Sequence, residues 1–155
     1  MPVDWKKYKP LLKYHRIFVL CIVFTYILIK YSTMGNNDRF ENGQLKYVGR
    51  HENGFNEGRW IWYYPNGRRQ MEGVFIHSKR SGKWLMWDEN ETLINERFYQ
   101  NDKLNGPFSD WYANGNKKSE GTFLNDAIQG ILKEYNIDGT LNKEELFENG
   151  IKKKK

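Results

Sequence analysis

One spacing governs what this chain can fold into. A turn dipeptide, Asn42-Gly43, returns as Asn66-Gly67, Asn90-Glu91, Asn114-Gly115 and Asp138-Gly139, each 24 residues after the last. Further columns keep step with it. Six residues after each Asn or Asp stand Val48, Glu72, Glu96, Glu120 and Glu144, and nine residues after stand His51, Phe75, Tyr99, Phe123 and Phe147. Gly58, Gly82, Gly106 and Gly130 follow at offset sixteen, Trp60, Trp84, Phe108 and Leu132 at offset eighteen, and Tyr63, Trp87, Trp111 and Tyr135 at offset twenty-one. A period kept by so many columns is the signature of a repeat architecture, in which one supersecondary unit stacks on copies of itself.

Each unit holds two short β-prone runs and two turns. Gly67 to Phe75 alternates, a second turn falls at Asn53-Gly54, His77-Ser78, Asn101-Asp102, Asn125-Asp126 or Asn149-Gly150, and an aromatic run such as Gly82 to Trp87 closes the unit. Aromatics at 16% and 14 glycines fit strands better than helices. The expected fold is all-β: an elongated antiparallel meander of about ten strands, built from some five stacked 24-residue hairpins over residues 40–150. The Asn-Gly dipeptides are expected to make type I′ turns with positive φ, looser where Glu91 replaces glycine. The offset-sixteen glycines, Gly82, Gly106 and Gly130 among them, mark a bend or a close backbone approach.

The N-terminus reads differently. Ile17 to Ile29 is an uncharged apolar run of 13 residues, extending to 21 from Leu11 to Tyr31 if Lys13, Arg16 and Lys30 snorkel. At 1.5 Å per residue such a helix spans about 31 Å, enough for a bilayer. A cleaved signal has only a poor small-residue site at Leu28 to Thr33, and a core helix has no apolar partner, so residues 1–31 are expected to form a cytoplasmic N-terminus and an uncleaved anchor. Residues 32–39 form a polar linker and residues 151–155 a basic tail. Five basic residues precede the run and Lys30 follows it, which predicts a single-pass protein with its repeats extracytoplasmic.

The formal charge of +6 resides at the ends. Residues 1–31 carry a net +5 and Lys152 to Lys155 add +4, leaving 15 basic and 18 acidic residues between them. A repeat body of that sign repels a phosphate backbone, so no nucleic-acid partner is expected.

The aromatic columns are expected to form continuous rows along the sheet, mostly as its core. Trp60, Trp84, Trp87, Trp111, Tyr63 and Tyr135 are also candidates for contacting a partner. The glutamates recur about 10 Å apart, too far to share a metal, and are expected to form a hydrogen-bonded or salt-bridged ladder. The remaining repeat positions, among them Gly139 and Phe147, are structural. No His, Cys or Ser stands in a nucleophile or metal motif, so the chain is expected to be no enzyme and to hold no cofactor, metal or small-molecule substrate.

The units YYPNGRRQMEGVF…SGKW and WYANGNKKSEGTFLND…QG resemble the bacterial MORN-repeat variant family, including YwqK-type toxin–antitoxin antitoxins, over about Phe40 to Gly150. That resemblance implies an elongated single-layer sheet that binds proteins or lies near membranes, and a toxin as one class of partner. A toxin met outside the cell is a target for an immunity protein. The expectation is therefore a membrane-anchored, non-enzymatic repeat protein whose sheet binds another protein, a toxin or an envelope component. The alternative is an envelope scaffold that self-associates or binds membrane or glycan.

Overall fold

A computed structural model describes residues 22–26 and 38–154 of the chain, which divides into two compact units, Met1–Asp38 and Arg39–Lys155. The expectation of a transmembrane helix needs correction. Among the described residues no helix is long and apolar enough to cross a membrane. Residues 22–26 are helical. The rest of the stretch from Leu11 to Tyr31, with the flanking charges that set its orientation, lies outside the described residues. The single-pass localisation with extracytoplasmic repeats, and membrane attachment through that helix, are therefore not supported.

The unit Arg39–Lys155 is one antiparallel sheet of twelve strands. They are β1 (Tyr47–Glu52), β2 (Phe55–Tyr63), β3 (Arg69–Ile76), β4 (Lys79–Trp87), β5 (Leu93–Gln100), β6 (Lys103–Leu104), β7 (Gly106–Trp111), β8 (Lys117–Leu124), β9 (Ala127–Ile128), β10 (Gly130–Tyr135), β11 (Leu141–Glu148) and β12 (Ile151–Lys152). The pairing path runs β1-β2-β3-β4-β5-β7-β8-β10-β11-β12, with β6 on β5 and β9 on β8. This is the expected meander, two strands to each 24 residues. β6 and β9 are leading pieces of β7 and β10, cut off by a bulge that β2 and β4 absorb without a break.

That bulge is the work of the offset-sixteen glycines. In β4 the register jumps from Ser81 opposite Val74 to Leu85 opposite Glu72. Gly82 sits inside the jump at φ +67, a left-handed conformation that costs other residues.

The turn chemistry is the reverse of the expectation. At Asn66-Gly67 only the glycine has positive φ, and Gly67 N–H donates to Tyr64 O at 2.9 Å while Tyr64 N–H donates to Arg68 O at 2.8 Å. These bonds define a type I turn closed by a left-handed residue, not a type I′ turn. The type I′ geometry, with positive φ at both central residues, lies in the second turns: Asn53-Gly54, His77-Ser78, Asn101-Asp102, Asn125-Asp126 and Asn149-Gly150. Asparagine is kept in the first turns for its amide. Asn42, Asn66 and Asn114 each donate Nδ2 to a carbonyl 23 residues on, at Pro65 (2.7 Å), Glu89 (3.2 Å) and Ile137 (2.8 Å).

The second turns are tied along the opposite edge of the sheet. Ser78, Asp102, Asp126 and Gly150 donate their amides to Asn56, Arg80, Leu104 and Ile128, each 22 residues earlier. Ser78 Oγ, Asp102 Oδ1 and Asp126 Oδ1 accept the amides of Asn56, Arg80 and Leu104 in return.

A single sheet has no second layer, so its core must be made by side chains lying flat on the neighbouring strand. Trp60, Trp84 and Phe108 do this, at 4%, 6% and 5% exposure. What admits them is a glycine column, Gly49, Gly73 and Gly121, seven residues after each turn Asn. A Cβ added at Gly49 or Gly73 would lie 2.1 Å from the indole of Trp60 or Trp84, and one at Gly121 would lie 2.8 Å from the Phe108 ring. Each buried indole withdraws around 200 Å², worth up to about 5 kcal/mol at 25 cal/mol/Å². Gly73→Ala should therefore overpack the seat and cost about 2–3 kcal/mol. Trp84→Phe added to it should restore part of the loss, since at the equivalent position a phenyl ring, Phe108, packs beneath a residue larger than glycine, Arg97. Urea midpoints of the single and double variants measure this.

Candidate binding face

Side chains alternate across the strands, so the two faces of the sheet differ in chemistry. One face carries the buried rings and the residues two positions from them. Trp62 lies between Trp60 and Trp84, with ring centroids 5.7 Å from each. Phe75 meets both edge-on, at 5.9 and 5.0 Å, Tyr47 stacks on Trp60 at 5.4 Å, and Tyr99 meets Trp84 at 5.9 Å. Over β2 to β5 this cluster opens into a shallow groove of about 300 Å³, lined by Trp62, Met71, Phe75, Met86, Tyr99 and the rim of Trp84, with Arg80, Asn95 and Arg97 at its border. Met71 pairs directly with Met86, which is 37% exposed.

The cations at the border are engaged. The Arg80 guanidinium covers Tyr99 at 4.1 Å and pairs with Asp102 at 3.0 Å. Arg97 covers Phe108 at 4.8 Å, and its Nη2 donates to Asp110 Oδ1 at 2.8 Å and Oδ2 at 3.0 Å. Asp110 also accepts from Asn95 Nδ2 and Ser119 Oγ, both at 2.8 Å.

The other face carries the glutamates. Glu72 pairs with Arg59 at 2.9 Å and Arg69 at 3.6 Å, Glu96 with Lys83 at 2.9 Å, and Glu144 with Lys133 at 4.0 Å. Where the repeat has Pro107 in place of the basic residue, Glu120 takes Lys117 at 2.6 Å and the Tyr135 hydroxyl at 2.7 Å instead. The column is thus the ladder the period predicts, rung by rung. Among the described residues no group of three or more His, Cys, Asp or Glu is placed to hold a metal.

The six aromatic candidates divide unequally between these roles. Trp60 and Trp84 are core, and Trp87, at 9% exposure, is roofed on the glutamate face by Arg69 at 4.6 Å. Tyr63, Trp111 and Tyr135 are half-buried beside the first turns. None of the six supplies most of the groove. Its exposed wall is Trp62, Met71 and Met86, which occupy positions the repeat does not hold constant. The signal for them was present: Trp62 lies two residues from Trp60, hence on the same face.

Fold and face together define a single-layer hairpin-repeat protein with one aromatic and one ion-paired side. Three consecutive stretches, 56–77, 80–101 and 104–125, match the family model described as MORN repeat variant. Repeats of this kind often bind proteins or membranes. No curated protein matches the chain.

Five described carboxylates, Asp102, Glu120, Asp138, Glu145 and Glu148, sit below their ordinary range. Glu120 is lowered chiefly by the Lys117 bond and then by Tyr135, whose hydroxyl is raised in turn, and Asp102 by the backbone amide and side chain of Arg80. A depressed carboxyl stabilises the fold above its unfolded pKa, and that contribution is lost as pH falls through the folded value. The melting temperature should hold steady from pH 7 to about 5 and fall below about 4, where carboxyls protonate. Glu120→Gln should lessen the acid fall, as thermal melts across pH will record.

Proposed function

We propose that this chain is a non-catalytic binding module whose aromatic face takes a protein surface. The observation that carries the reading is the groove. Trp62, Met71, Phe75, Met86 and Tyr99 form one contiguous, partly exposed apolar wall on a backbone fixed by hydrogen bonds along both edges of the sheet. Aromatic and methionine side chains are the types enriched at interface centres, and a rigid platform loses little entropy on binding. The glutamates of the repeat column are spread singly along the other face, each paired with a basic neighbour. A toxin neutralised by capture, the partner class the sequence resemblance implies, falls within this reading.

The test places a photo-crosslinking amino acid at Tyr99, identifies the captured protein, and titrates it in purified form. Met86→Lys should weaken that binding by about 10- to 100-fold, the range for losing a central apolar contact. Leu146→Lys on the opposite face should leave it within about twofold. Equal losses from both variants would move the site off the groove, and absence of any groove-dependent binding would remove the reading.

A further inference from the structure

We infer that the occupant of the groove is the same groove on a second copy of this chain, related by a two-fold axis through the Met71–Met86 pair. The inference rests on the reading of this face as a protein-binding surface, and adds the partner. Three observations support it.

Along two rows of the face, those of Trp62 and Met71, the apolar side chains are confined to one half. Along the row that begins at Trp62 the equivalent residues are Met86, Asp110 and Glu134, and along the row of Met71 they are Asn95, Ser119 and Lys143. A two-fold axis in the apolar half lays Trp62, Met71 and Met86 against their own copies. The charged halves then project on opposite sides, where water keeps them solvated.

The charges at the groove's border are neutralised within the chain. Arg80 is paired with Asp102 and Arg97 with Asp110, and no other charged side chain lines the groove. In an isologous interface each group meets the surroundings of its own symmetry mate, so a patch with uncompensated charge repels itself. A groove bordered only by internally paired ions carries no such penalty. A foreign partner selected by charge would need an unpaired group to select on, and the lining holds none.

The shape and chemistry also suit self-packing. Two sheets packed face to face lie about 10 Å apart with side chains interdigitated, which is the ordinary way a sheet covers an apolar face. Met71 and Met86, opposite one another on adjacent strands, supply flexible thioethers that fill the gaps between facing indoles.

The experiment uses the full chain with Cys21→Ser, so that the N-terminal segment is common to every variant. Single cysteines are introduced by Met86→Cys in the groove and by Val74→Cys on the glutamate face, and each is treated with a short bis-maleimide. The pairing predicts a covalent dimer for Met86→Cys and monomer for Val74→Cys. It also predicts a sedimenting dimer of the parent chain that Met86→Lys dissociates. Equal cross-linking of both cysteines, or a dimer indifferent to Met86→Lys, overturns the proposal. A monomeric parent overturns it too, and the purified-partner titration then separates the cases. Groove-dependent binding of a different protein keeps the binding face and removes the second copy, whereas no groove-dependent binding removes both.

Discussion

Indole laid on glycine is the contact from which the rest of this sheet follows. A single layer offers no opposing element to bury side chains against, so a ring can leave water only by lying on the neighbouring strand, and only if that strand has no Cβ in the way. Gly49 and Gly73 give that space to Trp60 and Trp84, with a hypothetical Cβ 2.1 Å from either ring. Where the ring shrinks to Phe108, the equivalent residue is Arg97, whose guanidinium lies 4.8 Å above it and is held there by Asp110. At the last such position Leu132 replaces the ring, and Lys143 and Glu145 of the next strand and Glu134 of its own are joined in ion pairs through Lys143. The core thus thins from two indoles to a phenyl ring to an aliphatic side chain along the sheet.

Packing alone does not fix how one unit sits on the next; the two edges do. Asn42, Asn66 and Asn114 reach forward 23 residues and four second-turn amides reach back 22, so ties along both edges join units to their neighbours. These ties keep equivalent residues in straight rows, and straight rows turn scattered aromatics into a continuous surface. The glutamate face adds a rung of ion pairs per unit, most of it exposed enough that each pair contributes little by itself. The aromatic face therefore rests on a backbone that has few ways to relax, which links turn chemistry to the capacity to bind.

Much of this was legible in the sequence because repetition writes it several times. The period, the two strands per unit, the bulge at Gly82 and its equivalents, and the glutamate ladder each appear as a column. What escaped was whatever broke its column. The glycine seats are interrupted by Arg97 and Glu145, and Trp62 shares its column with Met86, Asp110 and Glu134, so neither stands out until faces are assigned. The turn types were exchanged because Asn-Gly is the usual mark of a type I′ hairpin, whereas here it ends a three-residue loop. The true type I′ turns include His77-Ser78 and Asn101-Asp102, which carry no glycine. The apolar run near the N-terminus had the composition of a membrane span, but composition gives no helix length, and among the described residues no helix is long and apolar enough to cross a membrane. The groove is made by departures from the repeat, which is why the period could announce a platform without marking where a partner meets it.

Amide hydrogen exchange resolved by residue tests the central claim most directly, since protection reports the local cost of opening. If rings seated on glycine carry the stability of the layer, protection should peak in β2, β3 and β4 around Trp60, Gly73 and Trp84. It should fall through β7 and be lowest in β10 and β11, where Leu132 replaces the ring. Uniform protection from β2 to β11, or a maximum in β10 and β11, would show that strand pairing and edge ties hold the sheet without the seats, and would contradict the account.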